Sequence, residues 1–294
     1  MILPKKVSIG DTVGIVSPCD VKNYEKLIKP EELLRSMGFK VKYGENTFKD
    51  TWGYAASAKE RADDFNAMAC DDEVSLVFFG GGDVGCEVLP LLDYDAIKRS
   101  RKAYCSYSDS TSILNAITSL TGLVTFHGQT PRTFEDLNDY NVERFKSVII
   151  ERDGIHKRAS DWTVLHGGAC RGRLIGGYTQ NVCLMLSSPY FSYTDEKYIL
   201  FLEDYFWFSE PAIVARYVEH IIQSEFFKNV CGVIFGGYGE GDDVVTEILR
   251  RKAESIGIPF VKCNDFGHGT NNAIFPIGAM AELDCEKASL RFEI

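Results

Sequence analysis

The chain has 294 residues, of which 45% are hydrophobic and 25% are charged. This ordinary globular composition excludes a disordered, collagen-like or coiled-coil protein, and the length predicts two domains. The 42 acidic residues outnumber the 32 basic ones and give a net charge of −10, which argues against a protein that binds the phosphate backbone of nucleic acids.

The first half of the chain alternates short apolar runs with amphipathic segments, a pattern that predicts a mostly parallel sheet covered by helices. Apolar runs bounded by glycine, proline or polar residues predict strands at 12–17, 40–43, 75–79 and 103–106. Apolar residues at helical spacing predict helices at 24–37, 57–69, 85–92 and 110–120. Ser57 is the expected cap of the second of these helices.

Residues 133–168 are more polar and less periodic, and they predict a linker with a hairpin. The alternation of predicted strands and helices resumes in the second half, from residues 171–177 onward. Strands are predicted there at 198–202, 232–235, 259–262, 279–284 and 289–293. Helices are predicted at 179–186, 211–224 and 243–255. We therefore expect an N-terminal domain at 1–160 and a C-terminal domain at 161–294.

No apolar stretch is long enough to span a membrane, and the first residues lack the apolar core of a secretory signal. The nine cysteines are scattered without CxxC spacing, which is typical of a reducing compartment, so we expect a cytoplasmic protein. The five histidines lack the HExxH spacing of a zinc site, so we expect no metal ion.

Ser108 lies where a predicted buried strand is followed by a helix. A serine at such a sharp turn exposes its hydroxyl beside free backbone N–H groups, which is the arrangement that acyl transfer needs. A helix cap formed by Ser108 or Asp109 explains the same local pattern. Ser106, Ser110 and Ser112 are close by, so local spacing does not select one serine.

Gly80, Gly81 and Gly82 directly follow the strand predicted at 75–79. Consecutive glycines at the carboxyl end of a buried strand let backbone N–H groups approach a phosphate or an oxyanion closely. A tight turn is the structural alternative. Neither GxGxxG in a usable context nor GxxxxGK[ST] is present, which argues against a nucleotide site.

Glu203 ends the most apolar strand of the second half, and His268 lies in a loop rich in glycine and asparagine. Both residue types act in proton transfer, but a capping glutamate and a structural histidine are also compatible with these positions. His127 ends another strand and competes with His268 for the role of base.

Four segments in matching order and spacing resemble the LD-carboxypeptidases, serine peptidases that include muramoyl-tetrapeptide carboxypeptidase and the microcin C self-immunity peptidase. The likeness is carried by SYSDST at 106–111, ILFLED at 199–204, DFGHG at 265–269 and GGD at 81–83. It extends over nearly the whole chain. The GGD form is closer to the microcin-immunity branch.

The resemblance implies a flavodoxin-like N-terminal domain with a mostly parallel sheet, a smaller α/β C-terminal domain, and often a homodimer. It also implies that Ser108 is the nucleophile, that His268 is the base, and that Glu203 orients the imidazole. The backbone N–H groups of Asp109 and of Gly81 or Gly82 would hold the oxyanion. No metal or organic cofactor is needed for this mechanism.

A carboxypeptidase must bind a free carboxylate, so we expect an arginine near the site. Arg171 and Arg173 precede a Gly-Gly turn and are the candidates, with surface solvation as the alternative. Trp207 belongs to an aromatic cluster just after Glu203 and is a candidate wall for a stacked substrate. A place in the core or in a dimer interface is the alternative.

The sequence therefore predicts a cytoplasmic serine carboxypeptidase or amidase that acts on a small peptide. Its substrate would be the L,D bond of a murein tetrapeptide or a microcin C-like aminoacyl-nucleotide. The alternatives are a non-catalytic small-molecule binding protein on a flavodoxin-like scaffold, and a phosphate or nucleotide binder that uses the glycines at 80–82. No nucleic-acid or membrane partner is expected.

Overall fold

The computed structural model describes residues 1–20, 23–135, 138–205, 210–237 and 243–294. Its α-helices are α1 Ile28–Ser36, α2 Ala58–Cys70, α3 Tyr94–Ser100, α4 Thr111–Thr121, α5 Asp139–Phe145, α6 Thr179–Met185, α7 Pro211–Ile222 and α8 Asp243–Ile256. Its strands are β1 Thr12–Val16, β2 Lys40–Tyr43, β3 Val74–Phe79, β4 Ala103–Ser106, β5 Thr125–His127, β6 Thr163–His166, β7 Ala169–Tyr178, β8 Tyr198–Glu203, β9 Val230–Gly237, β10 Phe260–Gly267, β11 Phe275–Ile277, β12 Met280–Asp284 and β13 Ser289–Phe292. In this described part of the chain, no helix is both long and apolar enough to cross a bilayer.

The first sheet has the strand order β11-β5-β4-β3-β1-β2. Strands β1 to β5 pair in parallel, and the order β2-β1-β3-β4-β5 is that of flavodoxin-like folds. Strands β1 and β3 are buried almost throughout, as expected for a parallel sheet that helices cover on both faces. The predicted mostly parallel sheet and flavodoxin-like first half are confirmed.

The second sheet has the order β13-β12-β7-β8-β9-β10-β6. Its central strands β7 to β10 are parallel, and the strands toward both edges are antiparallel. Helices α7 and α8 each bury one apolar stripe, at Val214 and Val218 and at Val245 and Leu249. The second half is therefore also an α/β unit, as the sequence predicts.

Strand β11 connects the two halves, because it belongs to the second half of the sequence but pairs antiparallel with β5 of the first sheet. Its Phe275 lies opposite His127 and also packs against the rings of Phe201 and Phe266 from the second sheet. A boundary after residue 160 stays a prediction, and residues 275–277 cross it. Hydrogen bonds and aromatic packing thus join the two halves next to the site described below.

The polar connection at 133–168 is more regular than the linker and hairpin that the sequence predicts. Helix α5 lies there, followed by a π-helical turn at Lys146–Glu151. Phe145 and Ile149 on this segment are fully buried and pack into the core of the first sheet. The many charged residues around them hide this helical spacing. The short helix α3 is also absent from the predicted elements.

Candidate active site

Ser108 stands at the sharp turn between strand β4 and helix α4. Its φ is +67°, in the left-handed region that residues other than glycine rarely adopt, and a short 3-10 turn at Ser108–Ser110 leads into the helix. Backbone strain at a strand-to-helix turn is typical of nucleophile elbows, where the side chain is pushed out of the turn. The Ser108 hydroxyl bonds an imidazole rather than capping the helix.

The neighbouring serines have structural partners instead. Ser106 donates its hydroxyl to the carbonyl oxygen of Phe79 at 2.7 Å, and Ser110 donates to the carbonyl oxygen of Gly80 at 2.9 Å. Both bonds fasten the segment that carries Ser108 to the end of strand β3. The structure thus distinguishes Ser108 from the serines around it, which local spacing does not do.

Ser108, His268 and Glu203 form one continuous hydrogen-bonded chain. His268 Nε2 lies 2.8 Å from Ser108 Oγ, and His268 Nδ1 lies 2.6 Å from Glu203 Oε2. Glu203 ends β8, His268 follows β10, and Ser108 follows β4, so the carboxyl ends of strands from both sheets meet here. This is the edge at which open α/β sheets bind ligands.

Two glycines permit the close approach of these three residues. Gly267 has a φ of +97°, and a Cβ at this position would lie 2.8 Å from Glu203 Cβ. A Cβ at Gly81 would lie 2.7 Å from Ser108 Cβ and 3.0 Å from the Tyr107 carbonyl oxygen. A side chain at either position would therefore push the site apart. The glycine turn at 80–82 thus packs directly against the turn that carries Ser108.

Burial and charge act in opposite directions on His268. Its side chain is only 14% exposed, and this burial by itself lowers the pKa of the imidazole. The negative charge of Glu203 and its hydrogen bond outweigh burial, so the pKa of His268 lies above its ordinary value of 6.5. The site therefore stabilises the protonated form of His268.

His127 approaches the same carboxylate from the other side. Its Nε2 lies 3.9 Å from Glu203 Oε1, which is too far for a hydrogen bond. The ring is fully buried, and neither nitrogen has a hydrogen-bond partner among the described residues. Burial lowers the pKa of His127 to about 4, so the imidazole is neutral near pH 7. His127, the other candidate for the base, is therefore not part of the hydrogen-bonded chain of Ser108, His268 and Glu203.

Asp109 and Asn181 fix the turn that carries Ser108. The Asp109 carboxylate accepts hydrogen bonds from the Gly85 backbone N–H at 2.6 Å and from Asn181 Nδ2 at 2.9 Å. Asp109 is buried, and this burial raises the pKa of its carboxyl group. The role of Asn181 is not predicted from the sequence. The feature that could have indicated it is a polar amide side chain on the buried face of helix α6.

Among the described residues, three tyrosines surround the His268 ring. Tyr205 stacks on it with ring centres 4.8 Å apart, and Tyr107 and Tyr178 lie at 5.1 and 5.2 Å. These contacts restrict rotation of the imidazole, so both of its nitrogens stay aimed at their partners. Trp207 lies outside the described residues, and its role as a wall for the substrate stays a prediction.

Ser108 and His268 open into a cavity of about 670 Å³, and they also line a smaller one of about 210 Å³. The larger cavity falls in the range of small-molecule sites. The glycine turn at 80–82 forms part of its wall. In the part of the chain that the structure describes, no three His, Cys, Asp or Glu side chains are grouped to hold a metal ion.

The structure places Arg171 and Arg173 away from Ser108, in neither of these cavities. Arg173 donates two hydrogen bonds to the Glu196 carboxylate, each 2.8 Å long, and Arg171 donates one to Glu293 at 2.5 Å. Both arginines lie in the first half of strand β7, whereas the site is at the carboxyl end of this sheet. The structure therefore does not bring them to Ser108, and their role in substrate binding stays a prediction.

Family models match most of the chain. The LD-carboxypeptidase N-terminal domain matches residues 13–128, and the LD-carboxypeptidase C-terminal domain matches residues 171–283. The chain belongs to the LD-carboxypeptidase family. The first match contains Ser108, and the second contains Glu203 and His268. As a member of this family, the protein is a peptidase and therefore a hydrolase.

Individual relatives and a solved structure agree with this assignment. The chain is 29% identical to the "Probable murein peptide carboxypeptidase" of Bacillus subtilis, with 96% of this chain and 91% of the relative covered. It is 27% identical to the microcin C7 self-immunity protein MccF of Escherichia coli, with 98% and 95% covered. A crystal structure of an MccF-like protein from Bacillus anthracis matches with a TM-score of 0.90, 25% identity and 99% of both chains covered. The predicted family and α/β fold are thus confirmed.

Proposed function

We propose that this peptidase is a serine carboxypeptidase or amidase that uses Ser108, His268 and Glu203 as a catalytic triad. The hydrogen-bonded chain from Ser108 Oγ through the His268 imidazole to Glu203 carries this proposal. A buried carboxylate, an imidazole with a raised pKa and a strained serine at a strand-to-helix turn each have a distinct role in such a mechanism.

The first step is the attack of Ser108 on an amide carbonyl. With Nδ1–H donated to Glu203, His268 has its Nε2 lone pair free to take the proton of the Ser108 hydroxyl. The new C–O bond converts the carbonyl into a tetrahedral oxyanion. The backbone N–H of Asp109 and one from Gly81 or Gly82 hold this oxyanion, and the loss of one such donor typically costs ~2.7–4 kcal/mol of transition-state stabilisation.

The intermediate then breaks its C–N bond, and His268 gives the proton to the leaving amine. Water enters, His268 takes a proton from it, and the resulting hydroxide attacks the acyl-enzyme ester. The collapse of this second tetrahedral intermediate releases the acid and restores the Ser108 hydroxyl. Glu203 stays ionised throughout and stabilises the imidazolium that forms twice in each cycle.

Two amide substrates suit this chemistry. One is the L,D bond before the terminal residue of a murein tetrapeptide, in keeping with the name of the Bacillus subtilis relative. The other is the aminoacyl-nucleotide linkage of a microcin C-like conjugate, in keeping with the name of the Escherichia coli relative. The cavity of about 670 Å³ provides room for the larger part of either compound.

An assay of both compounds by liquid chromatography and mass spectrometry tests the proposal. The purified protein is expected to release the terminal D-amino acid or the nucleotide part, and Ser108→Ala is expected to release neither. Turnover of neither compound by folded wild-type protein would favour the alternative of a non-catalytic small-molecule binding protein. Sedimentation of the same preparation tests the homodimer that the family resemblance implies.

A further inference from the structure

A cation lines the cavity into which Ser108 opens. Arg132 forms part of its wall, together with His268 and the glycine turn at 80–82. Among the residues that the structure describes, no other lysine or arginine lines this cavity. Arg132 also borders Gly80 in a narrow cleft next to the main cavity, which places it on the side of the glycine turn.

In the described part of the chain, the guanidinium of Arg132 is not held by a hydrogen-bonded ion pair. In this it differs from Arg171 and Arg173, which donate hydrogen bonds to carboxylates. Arg132 Nε lies 3.8 Å from Glu135 Oε2, beyond hydrogen-bond distance, and within the described ranges its side chain donates no hydrogen bond. The two side chains of this pair are 57% and 39% exposed, and ion pairs this exposed contribute little. The guanidinium of Arg132 is therefore available to a substrate.

The backbone that carries Arg132 is held firmly in place. Pro131 begins a 3-10 turn at Pro131–Phe134, and the Thr130 backbone N–H donates to Thr133 Oγ1 at 3.0 Å. Pro131 and Phe134 are buried and anchor the turn on the core of the first sheet. An arginine on such a fixed turn has less backbone freedom to lose on binding than one on a mobile loop.

We propose that Arg132 binds the anionic group of the substrate and thereby sets specificity, an assignment that rests on the proposed peptidase function. An arginine fork binds a carboxylate or a phosphoryl group through two parallel hydrogen bonds. The terminal carboxylate of a peptide and the phosphoryl group of an aminoacyl-nucleotide both present this chemistry. Three carboxylates, Asp20, Asp83 and Glu135, line the same cavity, so among the described residues Arg132 is the lining side chain whose fixed charge attracts an anionic group.

Matched substrates test the role of Arg132. They are a tetrapeptide that ends in D-alanine, the same peptide with a C-terminal amide, and an adenosine aminoacyl phosphoramidate. Arg132→Gln is expected to lower kcat/KM by about 10- to 100-fold for the anionic substrate that the wild type uses, and to leave the amide unchanged. Arg132→Lys keeps the positive charge but lacks the two-pronged guanidinium, and its kcat/KM for the anionic substrate is expected to lie between those of the wild type and Arg132→Gln. Arg173→Gln is the matched control and is expected to change none of these values.

Binding to Ser108→Ala protein separates this assignment from the catalytic function, because no chemistry is then required. Calorimetry is expected to show that adding Arg132→Gln weakens binding of the free-acid peptide or the phosphoramidate, but not of the amide. If the affinity falls for only one of these two anionic compounds, that compound shows whether Arg132 binds a terminal carboxylate or a phosphoryl group. Equal affinities with and without Arg132→Gln, for all three compounds, overturn the assignment. Wild-type protein that hydrolyses none of them overturns the proposed function, and the binding comparison still decides the role of Arg132.

Discussion

Glu203 has a histidine on each side, and the two imidazoles lie in opposite environments. His268 bonds one carboxylate oxygen at 2.6 Å and reaches Ser108 with its other nitrogen at the edge of an open cavity. His127 faces the second oxygen at 3.9 Å and is fully buried, with the Phe201 ring packed against it at 5.1 Å.

The difference teaches that surroundings, and not residue type, decide which histidine can act as a base. Burial lowers the pKa of both imidazoles, but at His268 the negative charge of Glu203 together with its hydrogen bond outweighs burial and raises the pKa above 6.5. His127 receives the charge of Glu203 without the hydrogen bond, and its pKa falls to about 4. A base must also contact the hydroxyl that it activates, and in the described structure His268 contacts the proposed nucleophile Ser108 while His127 does not.

Replacing each histidine in turn with glutamine tests this comparison, and we expect it to have the largest effect on activity. His268→Gln removes the proposed base, so we expect kcat to fall by at least about 10³-fold. His127→Gln is the matched control, and we expect its kcat to stay within about tenfold of wild type because no proton passes through His127. Release of D-alanine measures both rates, and thermal unfolding checks that both variants fold. A folded His127→Gln protein as inactive as His268→Gln would contradict the assignment.

The pH dependence of kcat/KM sharpens the comparison. A protonated His268 cannot accept the proton of Ser108, so activity is expected to fall about tenfold per pH unit below the pKa of the base. Because the pKa of His268 is raised, the midpoint of this acid limb should lie above 6.5. The His127→Gln variant should show the same midpoint. A wild-type midpoint near 4 would instead assign the base to His127.

The burial of His127 should also appear in the stability of the fold. The unfolded chain protonates this side chain near pH 6.5 and the folded chain only near pH 4, so unfolding takes up a proton between these values. Stability is therefore full above pH 6.5 and is lost as the pH falls toward 4, by about 2 kcal/mol at pH 5. Urea unfolding at pH 7 and pH 5 measures this loss, which should shrink by that amount in His127→Gln. An equal loss in both proteins would show that His127 titrates in the folded state like an exposed histidine.

Local patterns are sufficient to predict a mostly parallel sheet covered by helices, because most of its buried strands and amphipathic helices are encoded within a few residues. The flavodoxin-like character of that sheet is implied by the family resemblance. The local patterns also mark Ser108, Glu203 and His268 as residues at the ends of elements. Local patterns cannot predict the long-range contacts of the site. Glu203 and His268 are 65 positions apart in the sequence, and Ser108 and His268 are 160 apart. The family resemblance supplied that pairing at the level of sequence.

Substrate recognition is harder to predict from the sequence than the three proposed catalytic residues are. Arg171 and Arg173 precede a Gly-Gly turn and attract attention for that reason, yet they lie toward the opposite end of strand β7 from the site. Nothing local distinguishes Arg132 from other surface arginines. Its proposed role rests on its place in the wall of a cavity that distant segments form together.

The central claim, that Ser108 is the nucleophile which His268 activates, is tested most directly by mapping a covalent adduct. The protein is treated with a serine-reactive fluorophosphonate, digested and analysed by mass spectrometry. We predict one adduct on Ser108 in wild-type protein, none in Ser108→Ala, and slower labelling in His268→Gln. An adduct on Ser106 or Ser110, or undiminished D-alanine release by Ser108→Ala, would contradict the claim.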